Sequence, residues 1–377
     1  MTESERLDGG ETTQVRDASR LASSDWWVYR GTGRPIHDLE LTDILPPPPP
    51  WRDFDGGPLP ESDDPPRDDH DVARRLGSEH SQSAQRTGPA ELDMINAALY
   101  LRRPLLVTGR PGTGKSTLAY RLAAELQLGR VLRWPITSRT TLNSGLYHYD
   151  AIGRIQAASA RFASRGERAS PAPEPEPPIG EFLRLGVLGT AFLPRRVPRV
   201  LLIDELDKSE ADLPNDLLSI FEDGEFRVPE LERIRNHTPE ATVFTDDPGE
   251  TASVVGGRIR CHAFPIVIIT SNGEREFPPA FLRRCLQLEM PDPDPEQLAA
   301  MVVAHLHDSE DNRRKLGAGL QSELIEQFVR RSASGDDRLP SGKLLDAMYL
   351  ATSGAYRGDV TWERLVDALW QRLSAVQ

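Results

Sequence analysis

The chain of 377 residues carries 45 Lys+Arg against 58 Asp+Glu, a formal net charge of −13, and 38 % hydrophobic residues. That length accommodates two or three domains of ~100–200 residues each, while the acidic balance argues against a protein that coats nucleic acid, which needs a basic surface to displace counterions. No apolar run approaches the ~20 residues of a membrane span. Two cysteines, Cys261 and Cys285, can build neither a disulfide framework nor a four-ligand zinc site, and the polar first twenty residues lack a signal-peptide pattern, so a cytoplasmic protein is expected.

Residues 1–89 read as a disordered, acidic, proline-rich tail. Up to Ala90 there are 18 acidic and 10 basic residues, little apolar periodicity, and an unbroken run Pro46 to Pro50 that can enter neither a helix nor a central strand. Asp53 to Asp71 reads as solvated linker. Two aromatic islands interrupt the tail: Trp26, Trp27 and Tyr29 ahead of Gly31-Thr32-Gly33-Arg34-Pro35, and Trp51 after the prolines. Aromatic side chains favour burial, either on this chain's own core or as docking motifs on a partner; the local sequence leaves both open.

From Glu91 the pattern becomes strand–helix alternation, the signature of an α/β sheet. Glu91 to Leu101 has a helical apolar face. Leu105 to Val107 is a strand, followed by a glycine-rich turn and a helix from Ser116 to Leu126; Val131 to Trp134 is a second strand. Arg199–Ile203 and Ile266–Thr270 are continuous apolar runs, as in central parallel strands covered on both faces. Ala158 to Glu181 is a Pro/Glu-rich surface insertion. Beyond Pro291 only amphipathic stretches remain, at Gln297–His307, Ser322–Ser332, Leu344–Thr352 and Trp362–Leu373. The expected architecture is an α/β domain over 90–292, with a parallel sheet flanked by helices, and a small all-α domain over 293–377.

The most specific motif is Gly109-Arg110-Pro111-Gly112-Thr113-Gly114-Lys115-Ser116-Thr117. It has the phosphate-loop spacing, and a strand precedes it and a helix follows. Its glycines let backbone N–H groups curl around phosphates, and the helix points its positive end at them. Lys115 would bridge the terminal phosphates and Ser116 would hold Mg²⁺. The strand Val200–Ile203 ends in Asp204-Glu205, placing two carboxylates where α/β sheets bind ligands. There Asp204 would orient Mg²⁺ through water, and Glu205 would polarise the attacking water. A third strand ends in Thr270-Ser271-Asn272; Asn272 could reach between the terminal phosphate and the water, or simply cap a turn. His305 and His307 have no third ligand near them and read as helix-surface residues, and Cys285 reads as a packing residue.

Together these residues resemble the AAA+ ATPases from about Glu91 onward, most closely the MoxR-like members of the helix-2-insert group. Leu201 to Lys208 resembles that family's Walker B segment, and Asn215 to Glu222 the helix that follows it. Asn272 sits at the sensor-1 position. Aligning Pro279 to Arg284 places Arg284 at the arginine finger acting on a neighbouring subunit, with Arg283 in reserve. Leu339-Pro340-Ser341-Gly342-Lys343 resembles the sensor-2 motif, with lysine where the family usually has arginine. A lysine lacks arginine's fork, yet only four lysines occur in the chain and two fall at expected phosphate contacts, which favours a working Lys343.

The resemblance implies ATP and Mg²⁺ bound between core and helical lid. It also implies a helix-2 insert at about 143–193, a presensor-1 hairpin at about 224–260, a homo-oligomeric hexamer, and a protein client, with a von Willebrand A domain protein as the candidate. Tyr147, His148 and Tyr149 are contact candidates within the insert, or else a buried cluster, and Glu230–Thr251 is too polar to be core. The expected function is ATP hydrolysis coupled to remodelling of a partner protein. The alternative is a nucleotide-gated scaffold or switch with slow hydrolysis, in a bacterial conflict or stress system. A nucleic-acid motor, with basic loops such as Arg195 to Arg199 in a pore, is disfavoured by the charge.

Overall fold

The structure is a computed structural model describing residues 26–36, 41–61, 65–77, 87–165, 177–306, 318–333, 339–355 and 360–370. Its centre is a five-stranded parallel sheet in the order β11-β1-β10-β5-β2. The strands are β1 (Leu105–Thr108), β2 (Leu132–Pro135), β5 (Val200–Asp204), β10 (Ile266–Ser271) and β11 (Leu286–Glu289). Successive side chains of a strand face opposite sides of the sheet, and two cores form accordingly. Leu105, Val107, Val200, Leu202 and Ile268 pack with one cluster of helices, and Leu106, Leu201, Ile203, Val267 and Ile269 with the other. All five residues of β5 are buried, which is why that strand reads as an unbroken apolar run. Edge strand β11 escapes sequence reading because only Leu288 of its four residues is buried.

The described residues ahead of Glu91 are not solvated as their composition suggests. They run over the α/β core as a strap. Residues 26–36 lie against helices α3 (Pro89–Leu101) and α4 (Lys115–Glu125); α1 (Leu41–Ile44) follows residues 26–36 in sequence, and then α2 (Asp69–Leu76). Tyr29 is fully buried, and Val28, Leu41, Phe54 and Leu76 are core residues. Polar groups fasten the strap as well. Asn96 accepts the N–H groups of Val28 and Tyr29 at 2.8 and 2.9 Å and donates to the Tyr29 carbonyl at 2.8 Å. The buried Glu125 carboxylate accepts from the backbone of Arg30, Gly31, Thr32 and Gly33 and from the Thr32 hydroxyl. Gly31 and Gly33 adopt φ of 63° and 64°, which curls consecutive N–H groups into an anion-holding nest. Further along, Arg52 donates to the Phe221 carbonyl, Gly56 N to Cys261 O at 3.1 Å, and Arg130 N to Pro66 O at 2.7 Å. The two aromatic islands differ: Trp27, Val28 and Tyr29 are anchored on this chain, whereas Trp51 is 75 % exposed.

Helices α3 (Pro89–Leu101) and α4 (Lys115–Glu125) cover one face of the sheet. The other face carries inserted structure. After α5 (Leu142–Leu146) come β3 (Tyr147–Tyr149), α6 (Ala151–Arg165), β4 (Leu183–Leu185) and α7 (Val187–Ala191). After β5 come α8 (Leu213–Asp223), β6 (Glu225–Arg227), α9 (Pro229–Ile234), β7 (Glu240–Phe244), β8 (Thr251–Val255) and β9 (Arg258–Arg260). Strands from both inserts join one sheet, β3-β4-β7-β8.

The stretch Glu230–Thr251 therefore does contribute core, against the expectation from its polarity. In β7, Ala241 and Val243 point inward by simple alternation, and Leu231 of α9 is buried. Asp247, fully buried, is gripped by the Arg199 guanidinium at 2.6 and 3.0 Å and by Arg130 at 3.0 Å. Arg199 is thus an internal anchor and not a pore-lining cation. Tyr147 is likewise buried, its hydroxyl donating to Glu230 at 3.0 Å, while His148 is exposed.

After the short α10 (Pro279–Leu282) and β11, the chain enters a helical region with its own core. Helices α11 (Pro295–Leu306), α12 (Ala318–Ala333), α13 (Ser341–Leu350) and α14 (Val360–Leu369) bury Val302, Phe328, Leu344, Met348, Trp362 and Trp370. Among the described residues no helix is long and apolar enough to cross a membrane.

Candidate functional site

The loop between β1 and α4 takes the shape its glycines permit. Gly109, Gly112 and Gly114 have φ of 144°, 83° and 88°, in the region L side chains rarely adopt. Gly112 has a second constraint, since a Cβ there would sit 2.6 Å from Ser341 N and 2.7 Å from Pro340 Cα. The loop thus touches the start of α13, and Ser341 Oγ donates to Gly112 O at 2.6 Å. Thr113 and Thr117 hydroxyls close the turn on Arg110 O and Gly114 O at 3.0 and 2.6 Å. Arg110 and Pro111 are exposed at its tip, with Arg110 4.0 Å from Asp292.

Lys115 opens α4, buried, with its ammonium donating to the carbonyls of Gly109 and Arg110 at 2.8 and 2.7 Å. Burial pulls its pKa below the ordinary lysine value, and the nearby carboxylates of Asp207, Glu205 and Asp204 partly offset that pull. Ser116 Oγ donates to Asp204 Oδ1 at 2.6 Å, which joins the loop to the end of β5. Asp204 also accepts from Thr270 at 2.9 Å and from the Arg133 guanidinium at 3.0 and 2.7 Å. Burial alone would raise this carboxyl; the hydrogen bonds from Ser116, Arg133 and Thr270 and the Arg133 charge outweigh it and hold the pKa below the usual range.

Glu205, the next residue, is left-handed at φ 62°, ψ 51°, a conformation costing a non-glycine residue ~1 kcal/mol or more. It is stabilised by its own N–H, which donates to Thr270 Oγ1 at 2.8 Å. The turn brings the Glu205 carboxylate to Asn272, whose side-chain amide donates to Oε1 at 3.3 Å, and to Lys208, which donates to Oε2 at 2.8 Å. Asn272 is itself positioned by Asp207, which accepts from the N–H groups of Asn272 and Glu274 at 2.9 and 3.0 Å. Lys115, Ser116, Asp204, Glu205 and Asn272, spread over 158 positions of sequence, therefore meet at one edge of the sheet.

The remaining expected residues lie elsewhere. Arg284 pairs with Glu222 of its own chain at 2.7 Å and donates to Ala280 O at 3.2 Å, with its side chain 40 % exposed. Arg283 is exposed, and its carbonyl accepts from Arg103. Lys343 lies in the first turn of α13, just past Ser341 and Gly342, which line the cleft between loop and helical region. That cleft has a volume of about 240 Å³ and is also walled by Thr117, Arg121, Met301 and His305. His305 is therefore a half-buried cleft residue, its ring nitrogen 3.0 Å from Met301 O, and not a helix-surface histidine; His307 lies outside the described residues.

Sequence reading missed Arg133, Thr270, Asp207 and Ser341 as parts of this site. The one usable signal was Arg133 alternating with buried Leu132 and Trp134 in β2, which places a cation on a strand's polar face beside the acidic strand end.

Residues 104–285 match the family model described as the AAA domain, dynein-related subfamily. The match runs from the residue before β1 to Cys285, a little under half of the chain, and takes in the loop, the β5 acids and Asn272. Nucleotide binding and ATPase activity are the general properties of such domains, and they commonly assemble as rings. No curated protein matches the chain.

Proposed function

We propose that the chain is a MoxR-like AAA+ ATPase that binds ATP with Mg²⁺ at the phosphate loop and couples hydrolysis to remodelling of a partner protein. The observation that carries this reading is the convergence of two hydrogen-bonded pairs, Ser116 with Asp204 and Asn272 with Glu205, on the edge of the sheet where the buried Lys115 ammonium feels the Asp204, Glu205 and Asp207 carboxylates. The Ser116 hydroxyl, 2.6 Å from the Asp204 carboxylate, is a hard oxygen donor that would hold Mg²⁺, and Asp204 would orient the ion through water. Held there, Mg²⁺ would supply positive charge against the phosphates.

The chain's own residues divide the remaining work. Loop N–H groups from Gly109 to Thr117 and the Lys115 ammonium hold the phosphates. Glu205 accepts a proton from the attacking water, and Asn272, oriented through Asp207, fixes the direction of the Glu205 carboxylate. Arg284, with Arg283 in reserve, supplies positive charge to a neighbouring subunit's site in a hexameric ring. Lys343 supplies it from the lid of the same chain.

Glu205→Gln is the decisive variant. It keeps size and amide hydrogen bonding but removes the proton acceptor, so ATP should still bind while turnover falls ~10²–10⁴-fold. Undiminished turnover would move the base to another residue. The Lys208–Glu205 ion pair at 2.8 Å favours a second reading, a nucleotide-gated switch in which hydrolysis is slow until that pair opens. Lys208→Ala would then raise turnover, whereas in a constitutive ATPase it would leave the rate unchanged or lower it.

A further inference from the structure

The cleft is not enclosed by the AAA domain and helical region alone. Arg75 of α2, from the N-terminal strap and outside the matched span, also lines it. Helix α2 packs on α4, which starts at the phosphate loop, and touches α11 of the helical region. Three features hold it there. Leu76 is buried in the same core cluster as Leu118 and Leu122 of α4. The Arg75 guanidinium lies over the Tyr120 ring, 4.5 Å from its centroid, while its Nε donates to Asp71 at 3.0 Å. Gly77, at φ 78°, ends the helix so close to α11 that a Cβ would lie 2.2 Å from Ala304 O.

The position of Arg75 along α4 says which part of a nucleotide it meets. Phosphates belong at the helix N-terminus, beside Lys115 and Ser116. Tyr120 and Arg121 lie five and six residues further on, roughly 8–9 Å down the axis at 1.5 Å per residue. Arg75, Arg121, Met301 and His305 line the same cleft, and stacking on Tyr120 sets Arg75 at that distance from the loop, where the sugar and base of a nucleotide would lie.

We propose that the strap is part of the nucleotide site: α2 closes the nucleoside end of the cleft with Arg75 as a binding residue, and by bridging α4 and α11 it links strap docking to nucleotide occupancy and to the angle between the two regions. This rests on the proposed nucleotide function. It adds that nucleoside recognition draws on a segment with no share in the phosphate-binding motif.

The test compares ATP with inorganic tripolyphosphate, both with Mg²⁺, by calorimetry on the full chain. Arg75→Ala should weaken ATP about tenfold, as expected for loss of one cationic contact, and leave tripolyphosphate unchanged. Equal ATP affinity in variant and wild type, or an equal loss for both probes, would overturn the assignment. Hydrogen exchange supplies a second readout. ATP should protect residues 69–77 in the wild type, and Gly77→Val, which forces α2 away from Ala304, should abolish that protection. Wild-type exchange in 69–77 indifferent to ATP would refute the linkage. A wild type that binds neither probe would instead sink the nucleotide function and this inference with it, whereas binding of both probes with no Arg75 effect sinks the inference alone.

Discussion

The phosphate-loop edge of the sheet and the N-terminal strap show two ways in which a chain encodes structure. At the loop, residues adjacent in sequence do the work together: six consecutive positions, Gly109 to Gly114, dictate a curl of N–H groups, and the helix behind them follows by continuity. In the strap, nearly every stabilising contact crosses a long stretch of chain. Tyr29 meets Asn96, Thr32 meets Glu125, Arg52 meets Phe221, and Gly77 meets Ala304. Composition describes such a segment as solvated tail because the groups that bury it are not beside it.

That contrast can be broken by substitutions of graded effect. The largest falls at the loop. Lys115→Ala removes a buried ammonium beside the expected phosphates and should cost nucleotide affinity at least ~100-fold, about 3 kcal/mol. The stability of the strap should be unaltered. Retained affinity in a binding titration would displace the motif from its assigned role.

A smaller effect is expected in the strap. Asn96 satisfies both N–H groups of Val28 and Tyr29 and one carbonyl of the strap, so Asn96→Ala should destabilise by ~2–3 kcal/mol. Limited proteolysis should then cut within residues 26–36 well before the α/β core yields. Uniform sensitivity of strap and core would mean that the strap unfolds only with the whole domain, and the two regions would then form one cooperative unit.

The smallest effect is a pH dependence at the junction of β5 and the loop. Asp204 has a lowered pKa in the folded protein, burial being outweighed by Ser116, Arg133 and Thr270. A depressed carboxyl stabilises the fold above its unfolded value, and that contribution is lost as pH falls below the ordinary carboxylate range toward the folded value. The Tm of the wild type should therefore exceed that of Asp204→Asn by a constant margin near neutrality, and the margin should shrink in acid. A margin that widens on acidification would contradict the assigned hydrogen-bond pattern.

Legibility followed the same division. Strands β1, β5 and β10 are visible because burial on both faces leaves continuous apolar runs, and Lys115, Ser116, Asp204, Glu205 and Asn272 are visible because they sit at fixed offsets from those strands. Strand β7 was hidden: Glu240, Thr242 and Phe244 face outward, and only Ala241 and Val243 carry its inward pattern. Arg133 gave only its alternation with Leu132 and Trp134 as a signal, since an arginine on a strand's polar face is ordinary until Asp204 is seen 2.7 Å away.

The sequence by itself determined the α/β class, the phosphate loop, the acidic strand end and the helical character of the C-terminal region, all properties of short windows with their own period or spacing. Tertiary structure decided which cation meets Asp204, that Glu205 is turned left-handed by Thr270, that two inserts share one sheet, and that the described residues ahead of α3 pack over the core. Those outcomes depend on pairings between residues tens to hundreds of positions apart, where the energy lies in matching buried donors to acceptors and apolar faces to one another, and no local composition records such a match.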